Sequence, residues 1–574
     1  MYRVASLLLL SSLLAACAES QLTILHTNDT HSHMLGMGPN LEYTPDATGD
    51  DDTLGGKARL KTLIDEIRED VKGEVVLYDA GDFMSGTLFQ LLMADEAAEL
   101  QVMQEMGYDA ITLGNHEFDL GPQLLGEMIT TADAQGVDIP ILATNAVPSA
   151  EDPEDDLLEA HFDSGRIVPT LVQDLGGGLT VGLFGIIGAA AARVAPNVKP
   201  TEIGSAIDAA EAAVDELEDA EPDLIIAISH LGVTEDLELA EAVDGIDIII
   251  GGHSHTALDE VMVVGDTTIV QAGAYSRFLG QITVERDGKN WDVTDYELHP
   301  IDDTILGDED LTAMIDGFID LLEEDYLGAL GHSFDEPIAW IPSDIYKVSC
   351  EESPLGDFVT DAFRSSVTAL DPDHPIDFAF EGQGVLRDSL VAGATGMQGF
   401  SDIFRAVPLG GYDGDKMGYA IVDFYMNGRE VRTACEVTAS VAPEVGCNFV
   451  IEVSSNLRCS MNMDLLPSMR ATAEYWTGSE WEQIPLTTSP LYHVTTDAYV
   501  GELMALLSDL SGGALKIIPK DIDGNPFATV DEMVFDADPN TAGVQAYRLW
   551  EAVIDYTATF PDADSDGIPE IEGY

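Results

Sequence analysis

Five short apolar runs in the first half of the chain, at 22–25, 75–78, 110–113, 224–228 and 246–250, each lead directly into polar residues of the kinds that bind metals or carry protons. Runs of this length bounded by Gly and Asp predict buried strands rather than helices. A sixth run, 179–187, predicts a strand with no such residue at its end. Between the strands, Leu60, Leu63, Ile64 and Ile67 recur at helical spacing over 57–67, and 203–217 reads as an amphipathic connecting helix. Strands alternating with helices over some 280 residues predict a layered α/β domain. A further helix is predicted over 311–327 from Leu311, Met314, Ile315, Phe318, Leu321 and Leu322. His26 falls inside the first strand and is expected to be packed, whereas the acidic stretch 45–52 and His33 are expected at the surface.

Open α/β sheets place their chemistry at the carboxyl edge of the strands. The residues that follow the five runs are Asn28-Asp29-Thr30-His31, Gly81-Asp82, Gly114-Asn115-His116-Glu117-Phe118-Asp119, His230, and Gly252-His253-Ser254-His255. Asp29 and His31 alternate about Thr30, so from extended backbone both are expected to point the same way. Gly114 lets the chain turn sharply where its strand stops.

Length changes this picture first: 574 residues exceed one core, and two domains are expected. The chain has 105 acidic and 24 basic residues, a formal net charge of -81, which argues against duplex nucleic acid as a partner. A phosphorylated substrate would be repelled at long range, so phosphate chemistry here needs metal cations and placed arginines. Arg3, the apolar stretch 4–14 and the small residues up to Ala16 form an export signal too short to span a bilayer. Leu14-Ala15-Ala16-Cys17 resembles the bacterial lipoprotein box, which implies cleavage before Cys17, lipid on its thiol and no other membrane segment. With Ala18 rather than aspartate next, the resemblance implies the outer membrane, facing either periplasm or cell surface. The remaining cysteines, Cys350, Cys435, Cys447 and Cys459, suggest two disulfides in any of three connectivities.

Taken together, the five polar blocks resemble those of the calcineurin-like metallophosphoesterases. The fuller stretches Leu25-His26-Thr27-Asn28-Asp29 and Asn115 to Gly121 resemble their 5′-nucleotidase branch, which includes periplasmic UDP-sugar hydrolases. The resemblance implies a four-layer α/β/β/α sandwich and two divalent metals, Zn, Mn, Co or Fe. By the same resemblance Asp29, His31 and His255 hold one metal, Asn115, His230 and His253 the other, and Asp82 bridges them. His116 would donate a hydrogen bond or proton near the phosphoryl group, oriented by Asp119, while metal-activated hydroxide attacks phosphorus.

Residues 350–362 resemble the opening helix of the 5′-nucleotidase C-terminal domain, an α+β substrate domain. Its glycine motif appears as Glu381-Gly382-Gln383-Gly384-Val385-Leu386-Arg387, with glutamate where asparagine is usual. Arg387 is a candidate for gripping phosphate, against an ion pair with one of the many carboxylates. The family's late Gly-Gly-Asp-Gly-aromatic motif is replaced by Thr496-Asp497-Ala498-Tyr499-Val500, which leaves Phe449 and Tyr499 as candidates for stacking a base. Asp562, Asp564 and Asp566 alternate beside Gly567, as in a calcium loop or a plain acidic tail. The chain thus divides into a signal (1–16), a metallophosphoesterase domain (17–305), a connecting helix and linker (306–338), a substrate domain (339–560) and an acidic tail (561–574). The expected activity is hydrolysis of nucleoside 5′-monophosphates or related nucleotides. The alternatives are a phosphodiesterase, a UDP-sugar hydrolase or other phosphoesterase, and a surface lipoprotein that binds without turnover.

Overall fold

The computed structural model describes residues 21–574 except 196, 288–289, 414–415, 466–468, 512 and 514, so the expected export signal and lipidation at Cys17 lie outside the described residues. The chain enters a seven-stranded sheet with β1 (Gln21–Thr27), then adds β2 (Glu74–Asp79), β3 (Ala110–Thr112), β4 (Ile141–Leu142) and β5 (Ile167–Val168), all parallel. Helices α1 (Lys57–Asp70), α2 (Ala98–Met106) and α3 (Gly121–Gln135) make the crossovers. A second sheet of six strands follows: β6 (Thr170–Gly176), β7 (Leu179–Ile187), β8 (Leu224–His230), β9 (Ile248–Gly251), β10 (Met262–Val264) and β11 (Thr267–Val270), in the order β10-β11-β9-β8-β7-β6. Helices α4 (Ala206–Glu218) and α5 (Val233–Ala242) cover its outer face. The chain then returns to the first sheet through β12 (Phe278–Asp287) and β13 (Asn290–Pro300), antiparallel beside β1.

The apolar runs lack polar alternation because their strands are covered on both faces. Leu22, Ile24, Val76 and Tyr78 meet Val181, Leu183, Ile226, Ile228, Ile248 and Ile250 between the sheets. Leu25 and Leu77, one position out of phase, face the helices of the first sheet, while Ile225, Ala227 and Ile249 face α4 and α5. The result is the α/β/β/α layering that the resemblance implied. His26 lies between the sheets, stacked on Tyr296 at 6.2 Å with no hydrogen-bond partner on either ring nitrogen among the described residues, and burial depresses its pKa to about 3.

Two surface expectations change. In the 45–52 stretch Asp51 turns inward, accepting from Thr44 and Thr53 and pairing with the fully buried Arg59 at 2.8 Å. His33 is 2 % exposed, for reasons given below. The connecting helix α6 (Glu309–Leu322), capped by Asp308, also stops short of 327 because its last turn, Glu323–Leu327, widens to π geometry.

The second half builds a four-stranded sheet from β14 (Phe378–Gly382), β15 (Ile421–Asn427), β16 (Ile451–Val453) and β17 (Leu491–Asp497), in the order β15-β17-β14-β16. Helix α7 (Pro354–Leu370), with Ser353 as its N-cap, packs on it, and α8 (Ala498–Leu510) follows β17 directly. Cys350 pairs with Cys447 and Cys435 with Cys459. The end of the chain is docked rather than free: Ile571 is buried and donates its N–H to Trp340, and the Tyr574 hydroxyl donates to Asp361. One hydrophobic cluster runs through both halves, with Phe89 against Phe334 at 5.6 Å, and Gln90 donates to the carbonyl of Pro408.

Candidate metal centre

The ends of β1, β2, β3, β8 and β9 converge on one cluster. Ligand atoms of Asp29, His31 and His255 lie within 4.8 Å of one another, as do those of Asp82, His230 and His253, and those of His31, Asp82 and His116. The loops are tied together through their backbones: Asp29 N–H donates to Gly81 O (2.9 Å), His31 N–H to Asp82 O (3.0 Å) and Ser32 N–H to Phe83 O (2.9 Å). Gly81, at φ +83°, allows this closeness, since a Cβ there would sit 2.6 Å from the nitrogen of Gly114.

Extended backbone is not what aims Asp29 and His31. Both are left-handed, at φ 49° and 48°, as are Asp82 (54°), His253 (69°) and His255 (52°). Each costs of order 1–3 kcal/mol for a residue with a Cβ, and such strain collects where surrounding structure holds a site in place. That support comes partly from residues the sequence reading gave no role. Asn28 Nδ2 donates to Asp29 Oδ2 and to Gly273 O, both at 2.6 Å. Glu117 accepts the N–H groups of Gly114, Asp82 and Met84 at 2.5, 3.0 and 3.2 Å. Burial and then the Asp82 charge push the Glu117 pKa up to about 8. Tyr275, also left-handed at φ 63°, packs its ring against His31, His33 and His255.

The donor atoms face one another. His31 Nε2 and His255 Nε2 are 3.0 Å apart, with Asp29 Oδ1 3.9 and 3.4 Å from them. His230 Nε2 is 3.0 Å from Asp82 Oδ2 yet outside hydrogen-bond geometry, and Asn115 Oδ1 is buried without a hydrogen-bond partner among the described residues. Imidazole nitrogens and carboxylate oxygens aimed at common points, with orphaned acceptors among them, fit divalent cations with mixed nitrogen and oxygen ligands. Burial lowers the pKa of His31 and that of His255, and it takes that of His253 to about 4, which keeps these imidazoles neutral and able to ligate. Burial alone would raise Asp82, but the charge on His230 beside it holds it well below the usual carboxylate range. The Asp82 charge in turn outweighs burial at His230 and raises it.

His116 Nδ1 lies 2.6 Å from Asp119 Oδ2, and its backbone N–H donates to Asp82 Oδ1 at 2.8 Å. The two line a cleft whose other wall comes from the second half of the chain: Gly382, Gly384, Arg387, Tyr419, Asn448, Phe449 and Tyr499. Arg387 Nη2 stands 3.1 Å from His31 Nε2, and among the described residues Arg387 forms no ion pair with a carboxylate. Phe449 and Tyr499 both reach the cleft, and Tyr419, which the sequence reading passed over, stacks on Tyr499 at 5.4 Å. Asp562, Asp564 and Asp566 present oxygens within 4.8 Å of one another, all exposed and separate from this cleft.

Residues 22–257 match the family described as calcineurin-like phosphoesterase, and residues 331–503 match the 5′-nucleotidase C-terminal domain. Among curated relatives, the chain is 27% identical over 506 residues to a trifunctional nucleotide phosphoesterase protein of Bacillus subtilis, covering 84% of this chain and 32% of that one. It is 34% identical over 320 residues to the 5′-nucleotidase of Mus musculus, covering 50% of this chain and 51% of that one. The matched regions thus span between a third and a half of these relatives' length. Among solved structures, a 5′-nucleotidase precursor from Thermus thermophilus superposes with TM-score 0.71 at 23% identity over 96% of this chain and 100% of its own. The sulfate thiohydrolase SoxB of the same genus superposes with TM-score 0.66 at 17% identity over 97% and 96%.

Proposed function

We propose, since the chain belongs to the calcineurin-like phosphoesterases that carry a 5′-nucleotidase C-terminal domain, that it is a metal-dependent hydrolase of nucleoside 5′-monophosphates or related nucleotides. The observation that carries this reading is the shared cleft, in which the His116–Asp119 pair of one domain faces Arg387, Phe449 and Tyr499 of the other. In this reading Asp29, His31 and His255 hold one divalent cation, Asn115, His230 and His253 hold a second, and Asp82 serves both. Such a pair, of Zn, Mn, Co or Fe, supplies Lewis acidity that neutralises the phosphate oxygens and activates water.

The chain's own groups do the rest. Asp119 accepts from His116 Nδ1 and supports the doubly protonated ring, whose Nε2–H would donate to a phosphate or leaving-group oxygen in the cleft. Arg387 offers a fixed cationic fork for phosphate, and the Phe449 and Tyr499 rings offer faces for a base. Export with lipid on Cys17 and an outer-membrane location complete the proposal, as does calcium at the exposed Asp562–Asp564–Asp566 loop. Loss of radiolabelled palmitate incorporation in Cys17→Ser tests the anchor, and terbium luminescence tests the loop.

The decisive experiment is phosphate release by residues 18–574 from AMP, UMP, a UDP-sugar, a 2′,3′-cyclic nucleotide with added phosphatase, and a non-nucleotide ester. It is run with Mn²⁺ or Zn²⁺ and after chelation. Metal-dependent release favouring AMP or UMP supports the reading. Release only from other esters assigns the cleft another leaving group, and no hydrolysis in any metal leaves a binding lipoprotein.

A further inference from the structure

We propose that Asp388 is a positioning residue that, together with His33, sets Arg387 of the second domain in register with the metal-binding loop of the first. The inference rests on the phosphate role just proposed for Arg387. His33 lies two residues beyond His31, and its ring spans the domain boundary: Nδ1 is 2.8 Å from the His31 carbonyl and Nε2 is 2.8 Å from Asp388 Oδ2. Both side chains are almost fully buried, at 1 % and 2 % exposure. The same Asp388 oxygen lies 3.0 Å from Arg405 Nε. Arg405 crosses back into the first domain, donating from Nη1 to Asn40 Oδ1 and from Nη2 to Gly38 O, both at 2.8 Å. The carboxylate therefore meets both His33, which belongs to the metal-binding loop of the first domain, and Arg405, which reaches the first domain at Gly38 and Asn40. Burial would raise its pKa, but His33, Arg405 and Arg387 lower it and keep the charge in place.

The backbone hydrogen bonds around Arg387 stay, among the described residues, within the second domain: its N–H donates to Ala406 O at 2.9 Å, and Lys347 Nζ donates to Leu386 O at 2.6 Å. The guanidinium nevertheless stands 3.1 Å from the His31 ring, across the boundary. What aligns that backbone with the loop carrying His31 is the adjacent residue, through His33. A displacement of about 1 Å at a group that orients substrate costs about a hundredfold in rate, so loss of this tether should be read in phosphate binding as well as turnover.

The test is a double-mutant cycle on Mn²⁺-loaded protein, residues 18–574. It compares wild type, Asp388→Asn, Arg387→Ala and the double variant by kcat/KM for AMP, by calorimetric affinity for inorganic phosphate, and by metal content and melting temperature. Asp388→Asn is expected to weaken phosphate binding and kcat/KM by about tenfold or more with both metals retained, and to add less than about twofold in the Arg387→Ala background. An equal loss in both backgrounds, or a wild-type Asp388→Asn, overturns the proposal. If Asp388→Asn does not fold, His33→Asn breaks the tether from the other end and is judged by the same cycle. Should wild type hydrolyse no ester, the functional reading fails while the phosphate arm still decides this one, and a wild type that binds no phosphate overturns it.

Discussion

Gly114→Ala places a methyl group behind the carboxylate proposed to serve both metals. The added Cβ would lie 2.2 Å from Asp82 Oδ1, 2.7 Å from Asp82 N and 2.8 Å from His230 Cε1. Ordinary contact begins at roughly 3.2–3.5 Å, so the oxygen must move by about 1 Å. It has nowhere easy to go, because Oδ1 accepts the His116 N–H and the Asp82 N–H is held by Glu117. Gly114 itself is not left-handed, so the penalty is contact rather than backbone strain. A shift of that size at the reacting centre corresponds to about a hundredfold in rate, or about 2.7 kcal/mol. The assay pairs phosphate release from AMP with metal content after gel filtration, and the control is Gly317→Ala on exposed helix α6, where an added Cβ meets nothing within 4 Å. Gly114→Ala should lose about a hundredfold in kcat/KM and retain less metal, with the control unchanged. Activity within about threefold of wild type at full metal content would refute the claim that Asp82 must stay where it is.

Three further outcomes follow from the same geometry. His116→Ala should keep its metals and lose about 10²–10⁴-fold in kcat, whereas Asp82→Ala should lose metal and rate together; metal analysis beside steady-state kinetics separates them. Phe449→Ala and Tyr499→Ala should each raise KM for AMP by roughly 5- to 100-fold, in line with about 1–3 kcal/mol for a stacked base, while leaving a small non-nucleotide ester unaffected; equal losses on both substrates would remove the rings from base recognition. Glu381 and Asp497 are buried together, and burial raises Asp497 to about 7 and, with the Asp497 charge, raises Glu381 well above its ordinary value. The folded protein therefore holds protons that the unfolded chain releases above about pH 4, so stability should fall as pH rises from 5 toward 7; Glu381→Gln should flatten that slope of melting temperature against pH, and an unchanged slope would exclude the pair as its cause.

The buried strands of the layered α/β domain were readable in the sequence because a strand covered on both faces must be apolar at nearly every position. Its carboxyl end must still turn polar where a site opens. Both are local properties, so runs such as 224–228 and 246–250 predicted β8 and β9 together with His230, His253 and His255 at their ends. The residues drawn from those ends do come together, but not by the route local pattern suggested. Asp29 and His31 point into the cluster from left-handed backbone, a conformation disfavoured for both and held by the neighbouring loop, by Asn28 and by the N–H groups of His253 and Tyr275. His33 and Asp51 looked like surface residues because their partners, Asp388 and Arg59 with Asp303, are not marked by any nearby pattern. The pairing of Cys350 with Cys447, 97 residues away, was likewise one of three equal choices until the strands packed. Periodicity thus marked the strands and connecting helices of a layered α/β domain and which residue types stand at the strand ends, while its four layers came from the family resemblance. Only the tertiary structure decided which of them meet, since contacts between residues hundreds of positions apart, such as Arg387 with His31, depend on how two domains settle on one shared core.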